Sequence, residues 1–384
     1  MKESIKLPIF YFLMYAAFAA WVSFFNLHLD SLGFTGLQIG TLNALFISTS
    51  SFVVPFWGMM ADKFGNNRIF LLLSTFCAII VFLIGQSNIY LYIMLFVLMI
   101  SFFQQPMGAV MDGMALGLIR TANKYSYGQF RLWGSAGYAL SSLVVGYFAL
   151  RDTHLIFTIA ALLFGLISLV NLITLPKKPV TGRQLVSFKS FGIFFKNRRL
   201  FVFLLLIFLY GIGTAPLHQF INLYYKDIGA ESSLVGKAFF IQAGIEIPFF
   251  LFSVRLLRRI RAEKIILAAM FVSVVRLLLY GFTSNPELAI YIGLLHGFTI
   301  SLFLVGVIEY VQAQTPDHLR TTGQALIWAF HFGAGLTFGN IWLGFLRDTV
   351  GMQTAMHVQA AIAGLFLICM FFFLKPGLNS RVDK

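Results

Sequence analysis

The chain has 384 residues, of which 59% are hydrophobic and only 11% charged, and 45 are Phe. An average soluble domain carries about 25% charged residues, so the composition excludes an ordinary water-soluble globule and leaves lipid as the solvent. The net charge of +14 would suit a nucleic-acid partner, but it lies in loops between apolar runs, where it is a topology signal instead.

A bilayer-crossing helix needs about 20 mostly apolar residues. Runs of that kind fall at 8–30, 38–61, 68–87, 89–112, 127–150, 154–175, 199–223, 233–254, 264–284, 287–311, 320–346 and 350–374. In lipid the backbone must satisfy its own hydrogen bonds, so each run predicts a helix. The opening MKESIKLPIFYFLMYAAFAAW has the order of a secretory signal. Its apolar stretch continues past Trp21 to Leu29, too long for a signal core, and predicts the first membrane helix.

An even number of spans puts both termini on one side. The loops on that side hold 22 of the 28 Lys and Arg. The opposite side holds Arg151, Lys226, Lys237 and Arg347, and Arg131 and Arg276 lie inside runs. The excess predicts both termini in the cytoplasm of a multi-pass protein of the inner or plasma membrane. The longest connection, 176–198, begins PKKPVTGRQ and reads as a cytoplasmic linker between halves 1–175 and 199–384. The halves echo each other. Tyr127-Gly128-Gln129 with Trp133 recurs as Thr322-Gly323-Gln324 with Trp328, and Lys63 and Arg68 recur as Arg258 and Lys264. The expected fold is therefore an all-α membrane protein of twelve helices in two pseudo-symmetric six-helix halves. Transporters built from such repeats place the substrate where the repeats meet, near the midplane.

A charge in the hydrocarbon layer costs at least ~2.5 kcal/mol and marks a functional residue by default. In chain order these are Asp112, Arg131, Glu246, Arg276 and Glu309, with His296 titratable near neutral pH. Asp112 and Arg131 flank the segment 113–126 on consecutive antiparallel runs, and so are expected to face each other. Tyr138 follows Arg131 two turns on, and Gly134 and Gly137 between them allow close approach of a neighbouring backbone or a ligand. A guanidinium beside an aromatic ring suits a sugar, through hydrogen bonds to hydroxyls and a flat face for the ring. It also suits the carboxylate of an aromatic acid. Glu246, in QAGIEIPFF, has no other charge within a turn and is the first candidate to carry a proton, with Glu309 second. Glu246 is within possible reach of Arg276 or His296 across helices. His218, Gln219 and Asn222, and at the end of the first run His28 and Asp30, could meet substrate or outer water. Cys77 and Cys369 form no disulfide or metal pattern, and no nucleophile elbow or phosphate loop is present. No enzyme activity and no cofactor are expected.

After the second run, Gly58, Asp62, Lys63, Gly65 and Arg68 match G-x-x-x-D-[RK]-x-G-x-[RK]-[RK], with Asn67 in place of one basic residue. This resembles the loop between helices 2 and 3 of the major facilitator superfamily. The resemblance implies that fold and a gating latch at Asp62. YGQFRLWGSAGYALSSLVVG resembles the fifth helix of the lactose permease group of oligosaccharide:proton symporters. That likeness implies substrate binding by Arg131, by Tyr138 in place of a stacking tryptophan, and by Asp112. SVVRLLL and GLLHGFTISLFLVG extend the likeness to Arg276 and His296, with Glu246 as the helix 8 acid. The pattern is incomplete. The coupling glutamate after the histidine is Thr299, the helix 10 lysine is Gly293, and no helix 7 aspartate appears around Leu217. FFNLHLDSLGFTGLQIG, GAVMDGMAL and EYVQAQTPDHLRTTGQAL are more similar to the phenylpropionate permease group. Lactose itself is thus not the expected ligand. The resemblance implies a monomer that takes up a small hydrophilic solute, a sugar or glycoside, with protons. An aromatic carboxylate or nucleoside, efflux, or a membrane sensor are the alternatives.

Overall fold

A computed structural model describes residues 3–122, 127–149, 152–174, 197–315 and 320–379. All but the last two residues of the expected linker 176–198 lie outside the described residues. Among the described residues every regular element is helical. The helices are α1 (Glu3–Ser31), α2 (Gly36–Phe64), α3 (Asn66–Ile84), α4 (Tyr90–Gln104 continued by Met107–Ala122), α5 (Tyr127–Ala149) and α6 (Leu155–Ile173). They continue as α7 (Arg198–Asp227), α8 (Ser232–Leu257), α9 (Ala262–Phe282), α10 (Pro286–Ala313), α11 (Gly323–Val350) and α12 (Met352–Asn379).

Eleven of these twelve contain a stretch long and apolar enough to cross a bilayer. The exception is α5. Its 23 residues would span, but Gln129, Arg131 and the serines at 135, 141 and 142 dilute its apolar character. The helix least suited to lipid is thus the one carrying Arg131.

The sequence places a loop at 113–126, but the second part of α4, Met107–Ala122, continues well past Asp112. Gly113 and Gly117 do not stop it, because a helix in lipid has no water to take over its backbone bonds. Several helices are interrupted where the chain lacks a donor or a Cβ. α4 breaks ahead of Met107, at Pro106, and α7 tightens into a 3₁₀ turn at Ala215–Leu217 around Pro216. α10 and α11 each contain a π-helical turn, at Gly297–Leu302 and Trp328–Gly335. Such turns gather at functional sites because they re-aim side chains.

The chain divides into two compact units. The first comprises Met1–Phe34, Leu45–Leu185 and Ala230–Gly244; the second comprises Thr35–Ala44, Val186–Gly229 and Ile245–Lys384. In the first, α1 packs on α5 and α6, and α3 on α4 and α6. In the second, α9 packs on α12 and α10, and α7 on α11 and α12. The start of α2 belongs to the second unit. Its Thr35-Gly36-Leu37-Gln38 forms a capping box: the Gln38 N–H donates to Thr35 Oγ1 (3.2 Å) and the Thr35 N–H to Gln38 Oε1 (2.9 Å). Asp348, at the end of α11, completes the cap by accepting from the Gly36 N–H (2.6 Å) and the Leu37 N–H (2.8 Å). A carboxylate is favoured there by the helix dipole as well.

Candidate functional site

In the first unit the polar centre is organised by α1. Tyr11 and Tyr15 lie one turn apart, their rings stacked with centroids 6.5 Å apart. Tyr11 Oη donates to Asp112 Oδ1 at 2.5 Å. The Arg131 guanidinium lies 4.3 Å from the Tyr15 ring centre, in cation–π geometry. The two charged residues expected to face each other are thus each held by a tyrosine of α1. α5 comes this close because position 137 is glycine: a Cβ there would overlap the Phe12 carbonyl. A Cβ on Gly134 would likewise sit 2.6 Å from the Tyr15 ring. Ser141 Oγ fixes the crossing with a bond to the Ala16 carbonyl (2.7 Å). Further along, Tyr138 Oη pairs with Ser23 Oγ at 3.0 Å. Arg131, Asp112 and Tyr138 are all half-buried.

In the second unit the centre is Arg276 of α9, which is fully buried. Its Nη1 donates to His296 Nδ1 (3.1 Å) and Thr299 Oγ1 (2.9 Å) on α10, and its Nη2 to Tyr280 Oη (3.4 Å). His296 Nε2 lies 2.8 Å from Glu246 Oε1 on α8. A guanidinium only donates, so Nδ1 of His296 is the accepting nitrogen and Nε2 carries the proton shared with Glu246. The π turn of α10 begins directly after His296 and carries Thr299. Three helices therefore supply one chain, Arg276–His296–Glu246. Thr299 offers Arg276 a neutral oxygen. Glu246 provides the carboxylate from a different helix.

Beside this chain, His218 of α7 lies 6.2 Å, ring to ring, from His331 in the π turn of α11. His331 is buried, and its Nδ1 donates to the Ile207 carbonyl at 2.9 Å. Glu309 is exposed at the far end of α10 and takes no part in the chain that joins Glu246 to Arg276. His28 is buried at the end of α1, with Nδ1 at 2.9 Å from Thr153 Oγ1.

The segment after α2 is a tight turn. Gly65 adopts φ +92°, a region L side chains rarely enter, and its N–H bonds the Ala61 carbonyl at 2.8 Å. Asp62 is half-buried, Lys63 and Arg68 are exposed, and Gly58 faces open space. Asn67 has a specific role. With Asn171 Oδ1 it accepts from Lys6 Nζ, both at 2.9 Å, and Lys6 is only 3% exposed. A basic residue at 67 would set a second cation against that buried ammonium, which explains the departure from the superfamily pattern.

Tyr11, Tyr15, Lys6 and His331 went unremarked in the sequence. The tyrosines carried a signal: two polar-tipped rings at helical spacing in FYFLMY, otherwise apolar. His331 carried one too, an imidazole inside the run 320–346; Lys6 carried none, since its partners are distant in sequence.

The profile of the MFS_1 like family matches residues 4–358. The maltose permease of Geobacillus stearothermophilus is 25% identical over 372 residues, covering 94% of this chain and 93% of that protein. The sucrose permease of Escherichia coli is 25% identical over 403 residues, covering 95% and 92%. Among solved structures, the nucleoside transporter NupG superposes with a TM-score of 0.87 at 20% identity, covering 98% of this chain and all of that one. Twelve helices, intramembrane charges held within each unit, and a profile match over nearly the whole length agree: the chain belongs to the MFS_1 like family and is a multi-pass secondary transporter of the major facilitator type.

Proposed function

We propose that this transporter takes up a small neutral solute bearing a hydroxylated ring, a sugar or glycoside, together with a proton. The observation that carries the reading is the chain Arg276–His296–Glu246, in which a titratable imidazole joins a buried guanidinium to a carboxylate. For His296 to take a second proton, Arg276 must leave Nδ1. Protonation and the placement of the guanidinium are therefore linked, and a guanidinium that has moved can meet a substrate oxygen. Glu246 is the first acceptor of the travelling proton; Glu309, exposed and outside the chain, is second. On the first unit, Arg131 and Tyr138 supply the donors and the flat face, with Asp112 as an acceptor.

Charge balance favours a neutral solute. Arg131 has Asp112 nearby in sequence order and packing through the α1 tyrosines, and Arg276 has Glu246 at the end of its chain. Before the proton binds, a carboxylate substrate would leave one acid in excess, whereas a neutral solute leaves the four groups balanced. An aromatic carboxylate or a nucleoside is the rival within the same class, and efflux the rival in direction. Cycling exposes the bound solute to one side of the membrane at a time, with Asp62 and its neighbours Gly58, Lys63, Gly65 and Arg68 as the gating turn. Both termini are assigned to the cytoplasm and the functional form to the monomer.

The test is proton movement in lightly buffered vesicles on addition of sugars, nucleosides and aromatic acids in turn. Alkalinisation of the medium with sugars, lost in Arg131→Ala, is the expected result. A signal with aromatic acids alone overturns the neutral-solute reading, and solute entry without proton movement overturns symport.

A further inference from the structure

Along the second unit, α9 and α12 leave an apolar groove of about 730 Å³ between them. Leu267 and Phe271 line it from α9, and Leu367, Phe371 and Phe372 from α12. Phe271 is 59% and Phe372 64% exposed, so the groove opens outward rather than into the core. In a bilayer such a groove holds hydrocarbon. What sets this one apart is a cation in its lining: Lys264, in the first turn of α9, lies on the same helical face as Leu267 and Phe271. From Lys264 to Phe271 the helix rises roughly 10 Å, which is the reach from headgroup level into acyl chains.

The positive charge does not stop at Lys264. Arg258 and Arg259 are exposed just before α9, and Lys375 is exposed near the end of α12. Basic residues at the end of a membrane helix each attract anionic lipid by about 1 kcal/mol. Glu263, the acid in the same turn, sits one position back and outside the groove lining. A second apolar groove in the first unit, about 500 Å³ and lined by Ile5, Pro8, Ile9, Phe12, Leu13 and Trp133, has no charged residue in its wall. The cation next to it in sequence, Lys6, is turned instead to Asn67 and Asn171. The molecule thus carries its own control: two similar grooves, one of them charged.

We propose that the α9–α12 groove binds an anionic phospholipid, with its phosphate at Lys264 and one acyl chain along Phe271, Phe371 and Phe372. The site is separate from the residues assigned to solute, so it stands or falls independently of the transport reading.

The full chain would be exchanged into mixed micelles of equal phosphatidylglycerol and phosphatidylcholine, and the retained lipid counted by native mass spectrometry. A photoactivatable phosphatidylglycerol would mark the position. Wild type should retain phosphatidylglycerol at least five-fold over phosphatidylcholine, with crosslinks at Phe271, Phe371 or Phe372. Lys264→Gln, at an exposed position, should lower the preference about five-fold, the equivalent of 1 kcal/mol. Leu267→Trp, which fills the groove but keeps the lysine, should remove the crosslinks. Equal retention of both lipids by wild type overturns the proposal. So do a preference unchanged in Lys264→Gln and crosslinks concentrated on the uncharged α1 groove.

Discussion

Glu246→Gln separates binding from proton coupling. His296 Nε2 donates to Glu246 Oε1 at 2.8 Å, and glutamine keeps an acceptor oxygen at the same place with nearly the same shape. What is lost is the charge. A hydrogen bond to a charged partner contributes about 1.5–3 kcal/mol and a neutral one about 0.5–1.5, so the chain loses about 1 kcal/mol, or roughly five-fold in an equilibrium that depends on it. The Glu246 side chain is a quarter exposed, so the amide leaves no dry, unpaired group behind and the fold should hold. The amide takes up no proton. In vesicles, exchange of labelled for unlabelled solute should therefore persist within about five-fold of wild type. Accumulation driven by a proton gradient should fall to the passive ratio. Accumulation against a gradient by Glu246→Gln, with proton uptake intact, would refute the assignment. Loss of exchange together with accumulation, in a folded protein, would move Glu246 from coupling to solute binding.

Two further outcomes test other contacts. Tyr15→Leu removes the ring beneath Arg131, a contact of about 0.5–2 kcal/mol, and should weaken solute binding roughly 2- to 30-fold. Tyr15→Phe keeps the π face and should stay near wild type; equal losses in the two variants, measured by solute protection against thermal unfolding, would show that the ring face is not what matters. Asp348→Ala removes the acceptor for the Gly36 and Leu37 N–H groups. Loss of such a cap costs about 0.5–2 kcal/mol, and a lower unfolding midpoint is expected by scanning fluorimetry in detergent. An unchanged midpoint would mean that the Thr35–Gln38 box suffices alone.

The sequence announced the helices because lipid leaves the backbone one solution: apolar length alone predicts them. It made Arg131, Arg276, His296 and Glu246 candidates because each interrupts an apolar run at a cost that lipid makes high. It ended the fourth apolar run at Asp112, while the backbone remains helical through Ala122. It paired Asp112 with Arg131 by charge, and had no means of seeing that α1 inserts two tyrosine rings among them. That insertion depends on a crossing at Gly137 and Phe12, residues 125 positions apart, and close backbone approach leaves no local trace beyond the glycine itself. Asn67 shows the converse. It read as a flaw in a motif until the partner, Lys6, was placed beside it.

The π turn at Gly297–Leu302 changes what counting along α10 means. A π turn holds one more residue per turn than the regular helix around it. Two relatives, one with this turn and one without, fall out of angular register immediately after His296, even where their sequences align without a gap. "Three residues after the histidine" then names a position in the text of the chain and a different direction in space. By the sequence resemblance Thr299 takes the place of a glutamate, while the carboxylate that reaches His296 comes from α8. Transfer of a role from a relative across residues 297–302 has to follow the direction of the side chain rather than its number. A one-residue deletion inside that segment would disturb the Arg276 contacts more than most substitutions there, because it would rotate everything beyond it at once.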